Sequence, residues 1–339
     1  MKRIVGVVLA LAMLMSGCAV NQPGQTQYTA SFLTLFDTIT SIVGYAQTEE
    51  EFQAKAQAIH DDLLAYHQLF DIYHDYEGVI NLKTVNDQAG IAPVTVDPII
   101  IELLLDCRAY YDLTHGMVNP AMGSVLKLWH ESRNHGLDDP ANAKLPDADA
   151  LEQAVEHMDF DCIIIDEAAS TVYLTDPDMS LDVGAIAKGW ATQRAAEKAP
   201  EGMLISVGGN VCATGPKTAE GDPWIIGIQD PDGGDNLHTI YVTDGAVVTS
   251  GDYQRVYYVD GKPYHHIIDP ATRMPGEHWR SVTVVCADSG LADALSTALF
   301  LLPLEDGLAL AAKCGAEVLW IDRAGDEFMT PGFETMIRT

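Results

Sequence analysis

Gln254-Arg255-Val256-Tyr257-Tyr258-Val259-Asp260-Gly261-Lys262-Pro263-Tyr264-His265-His266-Ile267-Ile268 is the stretch on which the fold class turns. Two runs rich in β-branched and aromatic residues, 254–259 and 264–268, flank Asp260-Gly261. An Asp-Gly pair between such runs is a strong hairpin signal. A hairpin makes an antiparallel pair, whereas parallel strands need a long crossover. Working outward, Cys162–Ile165 and Thr171–Leu174 read as a second hairpin, and Leu204–Val207 and Trp224–Ile228 as core strands. Ser281–Cys286 is a strand feeding a helix over 291–302, and 317–321 with 327–329 closes as a last hairpin.

Towards the N-terminus the period changes. Residues 31–45 are β-branched and aromatic and read as one strand. From Glu49, Phe52, Ala56, Ile59, Leu63, Tyr66 and Phe70 recur at three- and four-residue steps, which predicts a helix. A second helix is predicted over 97–114, with Ile100, Leu103, Leu104 and Cys107 on its apolar face. Charged residues with Gly136, Pro140 and Pro146 make 130–148 a surface loop, followed by a helix to about Met158. The fold class is therefore α+β, mostly antiparallel sheets with packed helices, without the βαβ alternation of a doubly wound sheet.

With 19 basic and 49 acidic side chains the formal charge is −30. Such a surface repels nucleic acid and anionic lipid, so neither is an expected partner. A polyanionic ligand would need a local cation, either lysine or bound metal. The first residues have a different character. Lys2 and Arg3 precede an apolar run from Ile4 to Met15, too short to span a bilayer comfortably and suited to a signal peptide. Leu14-Met15-Ser16-Gly17-Cys18 resembles a bacterial lipobox, with Met15 where leucine is commoner. The expected organisation is a lipoprotein signal peptide over 1–17, acylated Cys18, a polar tether over 18–30 and one large domain over 31–339. That places the chain on the extracytoplasmic face of a bacterial cell membrane, held by its lipid anchor. The remaining cysteines (107, 162, 212, 286, 314) have no CxxC spacing and read as buried thiols.

Three segments carry candidate chemistry. In Leu181-Asp182-Val183-Gly184-Ala185-Ile186-Ala187-Lys188-Gly189-Trp190 an acidic residue ends a strand, small residues turn and a helix begins. Free backbone N–H groups there suit an anion, with Lys188 one turn in; a tight strand–helix connection with a surface lysine reads equally well. Asp293 and Thr297 share one face of a predicted helix. Carboxylate and hydroxyl oxygens form the hard, incomplete shell magnesium accepts, though Asp293 alone reads as a helix start. His265 and His266 point to opposite sides of a strand, so one is a candidate general base and the other structural.

The order and spacing of these segments, with others, resemble the ApbE family, the FAD:protein FMN transferases. The blocks are LFDTITSI from Leu35, NPAMGSVLKLW at 119–129, LDVGAIAKGWA at 181–191, SVGGNVCATG at 206–215, VVTSGDYQRVY at 247–257, HIIDP at 266–270 and ADALSTAL at 292–299. The resemblance implies an ApbE-like, T-fold-like architecture and a flavoprotein-type site using Mg2+ with FAD as substrate. It implies that Asp182 and Lys188 contact FAD, and that the Ala185 carbonyl joins Asp293 and Thr297 around the metal. Ala121, Met122 and Gly123 match a loop bordering the nucleotide, Tyr73 matches an aromatic after the first long helix, and Ile268 falls in the HIIDP block. His266 is the expected proton acceptor, with Asp182 the rival. Phe36-Asp37-Thr38 stands where the family often has MGT, and Ala271-Thr272-Arg273 where it usually has a Thr-Gly pair. The implied reaction is protein flavinylation: FMN passes from FAD to a Thr or Ser hydroxyl, AMP leaves, and the partners are flavin-acceptor subunits of membrane redox complexes. Two alternatives stay open: an FAD pyrophosphatase giving FMN and AMP, and a lipoprotein binding flavin or another solute, which would not need the Asp293/Thr297 pair.

Overall fold

The computed structural model describes residues 25–339; the expected signal peptide and Cys18 lie outside them. The first strand, β1 (Thr26–Leu35), already begins within the stretch expected to be tether, and pairs with β2 (Thr38–Ala46). The sequence reads 31–45 as one strand, but the chain reverses at Phe36-Asp37, both left-handed with φ of 51° and 53°. No glycine or asparagine marks that turn, so β-branched composition on either side masks it.

Helix α1 (Glu49–Phe70) forms as its spacing predicts. Thr48 caps it by accepting from the Glu51 N–H, and three glutamates sit in its first turn, where the helix dipole favours them. After α2 (Leu82–Asp87) and the short β3 (Val94–Thr95), α3 (Pro98–Leu113) starts on an Asp97 cap with proline at its first position. Helix α4 (Gly123–Asp138) overturns part of the expected loop, continuing past His130 to Asp138. Gly136 does not break it, because the Tyr257 ring lies 2.7 Å from where a β-carbon would stand. Helix α5 (Ala148–Ala154) and the hairpin β4 (Ile163–Asp166) with β5 (Thr171–Leu174) follow as expected.

Next come α6 (Ala187–Lys198), β6 (Met203–Val207), β7 (Asn210–Ala213), β8 (Trp224–Gln229), β9 (Asn236–Val242) and β10 (Gly245–Gly251). The Asp260-Gly261 hairpin is real but shorter than its sequence suggests, β11 (Tyr257–Val259) against β12 (Lys262–Tyr264). The chain ends with β13 (Trp279–Cys286), α7 (Ser289–Leu301), α8 (Leu304–Cys314), β14 (Glu317–Asp322), β15 (Glu327–Met329) and α9 (Pro331–Met336).

Eight strands make one antiparallel sheet in the order β1-β2-β6-β7-β10-β13-β14-β15. Side chains alternate between two buried faces. Ile205, Ala246, Val248, Val284 and Trp320 join the larger core beneath α1, α3, α6 and α7. Leu204, Val247, Val285, Leu319 and Ile321 face the other way, under the β8–β9 hairpin and Phe333 of α9. Burial on both faces explains why these strands read as continuous apolar runs. Helix α7 lies against β10 and β13, with Leu295, Leu299 and Phe300 fully buried. Each contributes roughly 1.5–3 kcal/mol, so the segment bearing Asp293 and Thr297 is anchored in the core. No described helix is long and apolar enough to cross a membrane.

Candidate active site

A cavity of about 310 Å3 opens where the Phe36-Asp37 turn, the loop after α1, residues 117–122 and 182–188, the end of β10 and α7 converge. Its floor is the glycine-rich segment read from the sequence. The strand expected before Asp182 reduces to one bridge between Ser180 and Met122, and two clamps hold the chain extended there. Asn86 of α2 imitates a neighbouring strand: its Oδ1 accepts from Leu181 N (2.7 Å) and its Nδ2 donates to Leu181 O (3.0 Å). From the other side Asp182 N donates to Pro120 O (2.8 Å) and Gly123 N to Ser180 O (3.0 Å). A β-carbon on Gly123 would stand 2.3 Å from that oxygen, so only glycine allows this approach. Asp182 Oδ1 accepts from Gly184 N at 2.9 Å, which closes the turn into α6.

No side chain of its own segment caps α6. Asp293 of α7 does so instead: its Oδ2 accepts from Gly189 N (2.8 Å), and Lys188 Nζ lies 3.4 Å from both carboxylate oxygens. Asp293 is buried, and with Thr297, Ala185 and Lys188 it lines one part of the cavity. The i, i+4 spacing does place both oxygens on one face. Ser296 beside them is tied up elsewhere, bonded to Ser250 Oγ (2.8 Å).

Tyr73 stands exposed in the loop after α1, with its hydroxyl 2.6 Å from His130 Nδ1. The ring is exposed, but desolvation around the hydroxyl beside His130 and the Asp182 charge push the phenol pKa up, and burial pushes His130 down, so both groups are neutral near pH 7. His266 also lines the cavity, and its buried Nδ1 has no hydrogen-bond partner. Desolvation, reinforced by the Arg255, Lys188 and Arg133 charges, drops its pKa to about 3. His265 points away as expected: its Nε2 lies 2.9 Å from Gly276 O, and its ring meets Phe300 edge-on.

Of the residues singled out in the sequence, Tyr73, Met122, Asp182, Ala185, Lys188, His266, Ile268, Asp293 and Thr297 all line this cavity. Ala121 and Gly123 do not. They are buried behind it, Ala121 N donating to Asn119 Oδ1 (2.9 Å), and support Met122 from below. Cys107, Cys162, Cys212, Cys286 and Cys314 are all free thiols. Sequence reasoning missed Asp37, His130 and Arg255 on the cavity wall. Asp37 and Arg255 lay within quoted blocks without a role assigned to either, and His130 falls just past the block that ends at Trp129. His157, Asp176 and Asp178 could also group around a metal, but they lie outside the cavity, and His157 Nδ1 already bonds Asp176 (2.7 Å).

The model of the ApbE family matches residues 36–320. A protein of Treponema pallidum named FAD:protein FMN transferase is 36% identical over 284 residues, covering 76% of each chain. The crystal structure of an ApbE protein from Thermotoga maritima superposes with a TM-score of 0.81 at 32% identity, covering 93% of this chain and 100% of that one. The flavin transferase ApbE from Vibrio cholerae gives 0.76 at 25% identity, covering 92% and 99%.

Proposed function

The chain belongs to the ApbE family, and from that premise we propose that it transfers FMN from FAD to a Thr or Ser hydroxyl of a client protein. The observation that carries the reading is the convergence, in one cavity, of a buried carboxylate–hydroxyl pair, a lysine, an exposed aromatic and a partnerless imidazole.

Asp293, Thr297 and the Ala185 carbonyl are hard oxygen donors, the set magnesium prefers. Asp293 Oδ1 fits the role, because its one partner among the described residues is Lys188 Nζ at 3.4 Å. Bound there, magnesium would neutralise the pyrophosphate and ease departure of AMP. Lys188, so loosely held, offers its ammonium to phosphate oxygens. Tyr73 offers a flat apolar face to the isoalloxazine, and Asp182 and the 182–187 turn hold the nucleotide against the floor.

The acceptor oxygen forms a bond to the FMN phosphorus as the anhydride bond to AMP breaks, and its proton passes to the His266 imidazole. His266 is neutral before FAD binds. The incoming phosphates oppose the Arg255 and Lys188 fields and raise its basicity when a proton must be taken. Asp182 is the second candidate for that role. We place the reaction outside the cytoplasm, on a protein anchored through Cys18, with flavin-carrying subunits of membrane redox complexes as clients. The basic, apolar and small-residue run ahead of Cys18 supports this.

The test is incubation with FAD, magnesium and a candidate acceptor, read by in-gel flavin fluorescence and by the mass of an FMN adduct on one Thr or Ser. Free FMN and AMP beside an unmodified acceptor would make the protein a pyrophosphatase. Binding of FAD without turnover would make it a carrier.

A further inference from the structure

His67 lies in the last turn of α1, half-buried on the cavity wall and apart from the chemistry at Asp293 and His266. Its two ring nitrogens face different elements. Phe36 N donates to Nδ1 at 3.2 Å, and Nε2 lies 3.2 Å from the Tyr76 hydroxyl. That hydroxyl has one proton, which it donates to Asp71 Oδ2 at 2.6 Å. Its oxygen can therefore only accept from His67, so Nε2 carries the ring proton and Nδ1 is bare. Asp71 Oδ1 in turn accepts from Tyr73 N at 2.6 Å. One unbroken run of hydrogen bonds thus joins Phe36, His67, Tyr76, Asp71 and Tyr73. Both ends of the run are cavity wall. Phe36 and Asp37 hold left-handed backbone at φ of 51° and 53°, and such strain persists only where neighbours enforce it. His67 does so twice, accepting the Phe36 N–H and meeting the Phe36 ring edge-on with centroids 5.4 Å apart.

The run exists for one charge state only. A second ring proton, on Nδ1, would set donor against donor at Phe36 N. The charged and titratable groups facing His67 are Asp37 of the turn, and Asp71, His74 and Tyr76 at and beyond the end of α1. Burial holds the ring neutral near pH 7 against the pull of Asp71 and Asp37, and His74 opposes its charging as well. Burial also works to raise the Asp71 pKa, but the bonds from Tyr76, Tyr73 and His74 outweigh it and keep the carboxylate charged. We propose that His67 is a positioning residue for FAD: as the neutral Nε2–H tautomer it ties the Phe36-Asp37 turn and the Tyr73 loop into one wall against which the nucleotide binds. The proposal rests on the reading of this cavity as an FAD site and adds to it a support that a single proton releases.

The test follows FAD affinity of the full chain by fluorescence quenching from about pH 7.5 down to about pH 5. Wild-type affinity should fall about 3–10-fold, the worth of one lost hydrogen bond, and the fall should set in below the ordinary histidine value of 6.5. His67→Asn places an amide oxygen where Nδ1 stands and cannot take up a proton. It should bind FAD nearly as the wild type does at neutral pH and lose the acid-side fall. His67→Leu should bind about 3–10-fold more weakly at neutral pH and meet the wild-type curve in acid. A residue that only held the fold together would change affinity equally at every pH. Protonation of His130 or His266 would attract the phosphates, so it cannot imitate the fall. Ring-nitrogen NMR of the histidine-labelled wild type reads the tautomer directly and depends on no variant folding; His67 should show a bare Nδ1. A protonated Nδ1 at neutral pH, or an acid-side fall unchanged in His67→Asn, would overturn the proposal alone. FAD bound at no pH would instead overturn the site reading beneath it.

Discussion

Gly189 donates its backbone N–H to Asp293 Oδ2 across 2.8 Å, so the first turn of α6 is capped by a side chain of α7. The same carboxylate therefore fixes the angle between two helices and faces the cavity. Structure and chemistry share one residue, and each can be tested separately.

Gly189→Ala addresses the structural half. A β-carbon there would stand 2.2 Å from Ser289 O and 2.4 Å from Asp293 Cβ, and backbone oxygen in a buried helix cannot step aside. The two helices must part, at a cost of about 1–3 kcal/mol. Urea unfolding should show a lowered midpoint at an unchanged slope. A midpoint equal to that of the wild type would show that the close approach is not required.

Asp293→Asn addresses the chemical half. The amide oxygen still accepts from Gly189, so the fold should lose no more than about 1 kcal/mol. The negative charge at the proposed metal site disappears. Magnesium titrations of FAD turnover should shift to concentrations about 10–100-fold higher, or activity should vanish. Wild-type magnesium dependence in this variant would remove Asp293 from the metal shell.

Stability should fall on mild acidification because of buried histidines. His266 in the unfolded chain takes a proton near its ordinary 6.5, whereas in the folded protein it resists to about 3. The unfolded state binds more protons between those values, so stability is lost as pH drops below about 6.5. His67, His130 and His265 are shifted the same way by burial. His157, raised by its bond to Asp176, acts in the opposite sense. Asp71 and Asp176 are held below the ordinary 3.8, so their loss begins only in stronger acid. His266→Gln should therefore retain about 2 kcal/mol more of its stability than the wild type between pH 6.5 and 5, at 1.36 kcal/mol per unit. Parallel pH–stability curves for the two proteins would contradict the depressed value.

What the sequence made legible divides along physical lines. The Asp260-Gly261 turn was visible because its residues prefer the required backbone, and Asp293 with Thr297 because helical spacing is a local property. The Phe36-Asp37 turn was hidden, since Phe36, an aromatic residue that reads as strand, does not favour the left-handed region it occupies. Helix α4 runs on through Gly136 because Tyr257, far along the chain, fills the space beside it. The meeting of His130 with Tyr73 likewise depends on segments distant in sequence. Periodicity within one element carries no trace of such a pair.

The proposed lipid anchor rests on the sequence of residues 14–18 and can be tested without reference to catalysis. Cys18→Ser removes the thiol that would be acylated and leaves the domain from Thr26 onward unaltered. In a bacterial host the variant should move from the membrane pellet to the soluble extracytoplasmic fraction and lose incorporation of labelled fatty acid, with FAD turnover retained. Membrane retention of the variant with no label in the wild type would refute acylation at Cys18.

Tyr73 tests the proposed flavin end of the cavity, and its hydroxyl and ring separate cleanly. Tyr73→Phe breaks the 2.6 Å bond to His130 Nδ1 but keeps the aromatic face. Tyr73→Ala removes both. Stacking of a planar heterocycle on an aromatic side chain is worth about 1–3 kcal/mol, so the alanine variant should bind FAD about 5–150-fold more weakly. The phenylalanine variant should lose only the orientation that His130 gives the ring, a few-fold at most. Because Tyr73 is exposed, neither change should alter the unfolding free energy by more than about 0.5 kcal/mol. Fluorescence quenching of free FAD measures both constants. Equal affinity in the alanine variant and the wild type would show that the isoalloxazine lies elsewhere, and with it the part of the cavity where the acceptor enters.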